Sequence, residues 1–262
     1  MYSQFNKEYK NAIYNIGMSG LIGGIGAVIH KDSNINIAKA FIIGFEKASL
    51  GGGLIYASKN HLAKYKNDNN YLNIWASKLM FYTGVSIIES AVENKPVYSQ
   101  FNFNFGFSRF EFNFRKKFSV NYRIMPITFA GFVYSSFKYK LLLKESFYNG
   151  TFVFSNSELI NNNIGIIDGR NIINNIVIYQ EYFYKYFSYR RMLLVHEHIH
   201  TFQQGILMPI NNYFNIINNN FNLDNNFINK HIYIDANNVL FEGLYLMDSG
   251  FFEKEAYYYE RL

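Results

Sequence analysis

The sequence predicts an α+β fold with helices at both ends and an antiparallel sheet between them, and three observations carry this. Apolar residues recur at helical spacing through roughly the first 94 residues, the period changes to two from Gln100, and helical spacing returns in the last third. The regions this sets are a glycine-rich helical part over 1–95, an antiparallel β-meander over 96–177 and a C-terminal helical part over 178–262. No linker composition separates them, so one compact unit is expected. With 262 residues, 49% hydrophobic and 19% aromatic, the chain has ample material for a core.

The first element is Ala12 to Ile29, 18 residues without a charge and at the lower limit for a membrane span. Glycines at positions 17, 20, 23, 24 and 26 leave it little side-chain area to bury in lipid. The next apolar stretch, AKAFIIGFEKASLGGGLIYASK, carries Lys39, Glu46 and Lys47. The expectation is therefore a hairpin of two helices brought close by small residues, with a membrane-associated pair as the alternative. A third helix, NIWASKLMFYTGVSIIESAVENK, ends before Pro96.

From Gln100, FNFNFGFSRFEFNF alternates aromatic with polar, RKK offers a turn, FSVNYRIMP alternates again, and TFVFSN repeats the signal after Asn149-Gly150. Four to six such strands fall short of the roughly eight that a transmembrane barrel needs. NIINNIVIYQ then predicts a strand. A helix from Glu181 to Gln204 follows, closed by Gly205 with Pro209 beyond, and two further helices run from Tyr233 to Asp248 and from Phe251 to the end.

Composition excludes several functions. Without cysteine there is no disulfide framework, thiolate zinc site or cysteine nucleophile, so any metal must use His, Asp or Glu. The net charge of +6 is scattered, with Arg115-Lys116-Lys117 its densest run, and no basic stripe with interleaved aromatics calls for nucleic acid. The polar opening MYSQFNKEYKN does not read as a secretory signal. A place at the cell envelope or membrane is favoured slightly over the cytoplasm.

The segment RRMLLVHEHIHTFQQG, Arg190 to Gly205, holds three of the six histidines. Successive helical side chains are about 100° apart, so His196 and His200 share a face one turn apart, and His198 points to roughly the opposite side. Glu197 lies on the flank of the His196/His200 face. This is the H-E-x-x-H arrangement: two imidazoles hold a metal, a third ligand leaves one position for water, and Glu197 takes that water's proton. Met192, Val195, Ile199 and Phe202 form the adjoining stripe that docks the helix. His30, His61 and His231 are isolated and read as structural or surface residues, and Asp248 and Glu253 read as solvated or capping.

VHEHIHTFQQ together with FFEKEAYYYE resembles the short bacterial gluzincin-like domains, whose pattern is H-E-x-x-H-x-x-Q-Q followed by E-x-E-A. The likeness covers Ile178 to Leu262. It implies a zincin-like region that uses Zn2+ and hydrolyses peptide bonds, with an edge strand ahead of the active helix aligning the substrate. The glutamate directly before the alanine would be the third zinc ligand, which maps onto Glu255. Glu242, in LFEGLYL, is the rival, because related enzymes use an E-G-L/I-A pattern. Tyr257 stands where an aspartate often follows in that group, and the Tyr257-Tyr258-Tyr259 run offers a hydroxyl for a developing oxyanion. The expectation is a zinc metallopeptidase with His196, His200 and Glu255 as ligands, Glu197 as general base, and a peptide or protein as partner. The alternative is an envelope scaffold or assembly protein that keeps a zincin-like metal site without hydrolysis and meets membrane or partners through its N-terminal helices.

Overall fold

The structure, a computed structural model, describes residues 2–115, 117–156, 169–179, 187–213 and 230–262, and its class is α+β. Helix α1 spans Tyr2–Ile29, α2 spans Ile37–Ala63, α3 is the short turn Tyr65–Asp68, and α4 spans Tyr71–Val92. The side chains of Asn36 and Asn70 cap α2 and α4, accepting from Ala38 N at 2.8 Å and Leu72 N at 3.0 Å.

The expected glycine-packed hairpin is present. A Cβ at Gly23 would sit 2.1 Å from the Ala48 Cβ and 2.7 Å from the Gly44 carbonyl, and one at Gly51 would sit 2.5 Å from the Gly84 carbonyl. Glycine thus brings α1 onto α2, and α2 onto α4, at backbone distance. Among the described residues one helical stretch, Glu8–Ile29, is long and apolar enough to cross a membrane, and 44% of its apolar window is buried against the rest of the protein.

Strands β1 (Gln100–Phe105), β2 (Ser108–Asn113) and β3 (Ser119–Ile124) form the expected antiparallel meander, with Phe103 opposite Phe110. Burial runs against the hydrophobic alternation, because Asn102, Asn104 and Arg109 are the buried set while the phenylalanines of β1 are half-buried. The reason is a polar seam with α4: Glu89 accepts from Arg109 Nη2 at 2.9 Å and from Asn102 Nδ2, and Tyr233 stacks under the guanidinium at 4.0 Å.

The meander ends at Ile124, short of the residue 177 that the sequence reading gave it. Pro126 opens helix α5 (Pro126–Lys138), and a carboxylate from far along the chain caps it: Asp235 accepts from Ile127 N at 2.9 Å and Thr128 N at 2.8 Å. After β4 (Lys140–Leu141) and α6 (Leu143–Asn149) comes a mixed sheet of order β4-β5-β7-β6. In it β5 (Val153–Asn156) runs parallel to β7 (Asn175–Tyr179), and β6 (Gly169–Ile172) pairs antiparallel with β7. Ile173 and Asn174, both at positive φ (48° and 64°), turn β6 into β7 as a tight hairpin. The strand before the histidine helix is therefore interior, and β6 takes the edge position expected for it.

Helix α7 (Phe187–Gly205) packs on β6 and β7. Its sequence-predicted start at Glu181 lies outside the described residues. A 3-10 turn, Met208–Ile210, follows, then α8 (Asn237–Met247) and α9 (Ser249–Arg261). Phe202 stacks on Phe81 of α4 at 4.3 Å. Gly205 is the last helical residue with no positive φ, and a Cβ there would meet the Phe81 ring at 2.4 Å, so it serves packing and not the left-handed cap expected.

Candidate metal centre

The helical phase of α7 places the histidines as their spacing predicts. His196 Nε2 and His200 Nε2 stand 3.1 Å apart on one face, and His198 is buried on the other, 3.2 Å from Asn149 Oδ1. Burial, and then the nearby charge of Lys78, keep the His198 pKa well below the usual histidine range, so that ring is a neutral core group.

The third group is Glu253, from α9. Its carboxylate lies 3.2 Å from His196 Nε2 and 3.3 Å from His200 Nε2, and one donor atom from each of the three residues falls within 4.8 Å of the others. Burial alone would raise the Glu253 pKa, but hydrogen bonds from His196, His200 and the Tyr245 hydroxyl outweigh it and hold the carboxyl far below its usual range. Glu253 is neither solvated nor a cap.

Outer contacts orient both rings. His196 Nδ1 is 3.0 Å from Glu260 Oε2, and His200 Nδ1 is 2.8 Å from Gln203 Oε1, so each Nδ1 donates and each Nε2 turns to the centre. Glu260, one turn beyond Tyr257, supplies the carboxylate that Tyr257 does not. Two Nε2 atoms 3.1 Å apart repel unless a proton or a cation lies between them. Burial would lower the His196 pKa, yet hydrogen bonds to Glu253 and Glu260 and the charge of Glu197 push it up to about 9. The pocket thus favours positive charge, and two imidazoles with one carboxylate suit a divalent ion of borderline softness.

Glu197 is buried beside this cluster, and its charge acts on His196, Tyr245 and Tyr257 alike. Of the tyrosine run, Tyr257 borders the site, its ring 4.8 Å from that of His196 and 46% exposed, whereas Tyr259 is fully buried.

Glu255 is not brought to the histidines. It is buried among Lys59 Nζ at 2.8 Å, Asn15 Nδ2 at 2.9 Å and Gln203 Nε2 at 2.9 Å. The physical reason is helical phase: two residues apart on α9, Glu253 and Glu255 point to nearly opposite sides, about 200° around. Glu242 is half-buried, 3.4 Å from Gln204 Nε2, and stands outside the three-residue group. Compared with family profiles, characterised proteins and solved structures, the chain matches none.

Proposed function

We propose that the His196–His200–Glu253 centre holds zinc and that the protein is a zinc-dependent peptidase of gluzincin-like type. The observation that carries this reading is the placement of Glu197, a buried carboxylate directly after the first histidine and within electrostatic reach of the groups that would hold the ion. An ion held by His196, His200 and Glu253 would leave room for a water and would lower that water's pKa to about 7.

The chain's own groups supply the rest. Glu197 takes the proton from the attacking water and returns it to the leaving amine. Glu260 and Gln203 keep the imidazoles in the tautomer that presents Nε2. Tyr257, at the exposed rim, offers its hydroxyl to the developing oxyanion.

The test is Glu197→Gln in the full chain, assayed on a mixed peptide library by mass spectrometry. The parent should cleave, and the variant should keep its metal while losing turnover by about 100-fold or more. Unchanged turnover would exclude Glu197 as the base. A scaffold that binds metal without hydrolysis is the second reading, favoured by the burial of His196 and His200, 8% and 5% exposed. A metal-loaded parent that cleaves nothing in the library would select it.

A further inference from the structure

Resting on the metal-centre reading above, we infer that Lys59, Glu255 and Gln203 form a positioning chain through which the glycine-packed N-terminal helices set the tautomer and orientation of His200. The atoms fall in series. Lys59 Nζ donates to Glu255 Oε1 at 2.8 Å, Gln203 Nε2 donates to Glu255 Oε2 at 2.9 Å, and Gln203 Oε1 faces His200 Nδ1 at 2.8 Å.

The direction of each bond is forced. The amide nitrogen of Gln203 meets two acceptors, the Glu255 carboxylate and the Phe252 carbonyl at 3.0 Å, so the amide oxygen must turn to His200. An oxygen accepts only from a protonated Nδ1, and Nε2 is then left with the lone pair that a metal needs.

Burial makes this chain specific. Lys59 and Glu255 have side chains 0% and 2% exposed, and Gln203 is 1% exposed, so water cannot substitute for a missing partner. The ion pair lies where α1 meets α2. A Cβ at Gly52 would stand 2.6 Å from the Asn15 carbonyl, and that close approach lets Asn15 of α1 and Lys59 of α2 converge on one carboxylate of α9. Glu255 therefore serves the centre without touching it, and residues far from the histidine motif gain a role in the chemistry.

The experiment measures Zn2+ affinity by chelator competition on the full-length protein, with thermal melting alongside. Gln203→Met should bind Zn2+ about 10- to 100-fold more weakly than the parent. The exchange of Gln203→Glu with Glu255→Gln restores an acceptor to His200 Nδ1 and a donor between the two positions, leaves only the Phe252 carbonyl without its donor, and should recover part of that loss. A side chain that only fills space would show no such rescue. Should Gln203→Met fail to fold, Lys59→Met with Glu255→Leu replaces the buried ion pair by apolar groups of similar size, a change often neutral for stability. Because the buried Asn15 and Gln203 amides each lose an acceptor with Glu255, that variant should melt somewhat below the parent, and it should still bind Zn2+ more weakly. Parent-like affinity in Gln203→Met or, should that variant not fold, in the Lys59→Met with Glu255→Leu pair, or an exchange variant that folds but binds no better than Gln203→Met, would overturn the chain alone. A parent that takes up no Zn2+ would overturn the centre and the chain together.

Discussion

Replacing Gly23 by alanine separates a packed helical hairpin from a helix that merely lies nearby. The added Cβ would stand 2.1 Å from the Ala48 Cβ, about 1.3 Å short of the 3.4 Å at which ordinary contact begins, and 2.7 Å from the Gly44 carbonyl. Neither neighbour is the far end of a flexible side chain, so α1 and α2 must separate. Overfilling of this kind costs about 1–3 kcal/mol, against a gain of up to about 1 kcal/mol in helix propensity. These ranges leave a net loss of up to about 3 kcal/mol, read as a fall of up to roughly 12 °C in melting temperature. Gly17 is the internal control, because a Cβ there meets nothing within 4 Å. Gly17→Ala should be neutral or stabilising by up to about 1 kcal/mol. Equal melting temperatures for the two variants, or a stabilised Gly23→Ala, would refute the close α1–α2 contact.

Two further outcomes follow from buried groups. Burial depresses the pKa of Lys78 from 10.5 to about 7, so the folded state sheds its proton before the unfolded state does. The cost of the buried charge is fully present below about pH 7 and is relieved as pH rises toward 10.5, at up to about 1.4 kcal/mol per pH unit. Melting curves of the parent between pH 7 and 10 should show this rise relative to Lys78→Met, and parallel profiles would contradict it. His198→Ala should leave metal affinity near that of the parent, since its ring bonds Asn149 on the far side of α7, while the lost packing lowers stability by about 1–3 kcal/mol. A His198→Ala protein that lost metal while His200→Ala kept it would reverse the helical phase.

The histidine phase was legible because it depends only on the 3.6-residue period, and the hairpin because glycines at that density leave few other ways to pack. The third metal group was not, since E-K-E offers two glutamates on opposite faces of one helix. A signal was nonetheless present. Phe252, Glu255, Ala256 and Tyr259 follow the i, i+3, i+4, i+7 pattern of a buried stripe, and Glu253, Tyr257 and Glu260 share the neighbouring face. Reading Glu255 as part of the buried stripe requires a partner, and Lys59 lies 196 residues away. The same limit applies to the sheets: the parallel pairing of β5 with β7 and the capping of α5 by Asp235 are long-range contacts that no local period encodes.

The central claim, a metal centre built from His196, His200 and Glu253, is tested most directly by elemental analysis of protein purified without added metal. The parent should carry about one equivalent of a divalent ion, as a single site of this donor set holds. His196→Ala and Glu253→Ala should lose it and stay empty when the ion is then supplied in excess, whereas the pair Lys59→Met with Glu255→Leu should take it up under that same condition. A metal-free parent, or an ion that survives Glu253→Ala and disappears with the loss of Glu255, would contradict the assignment.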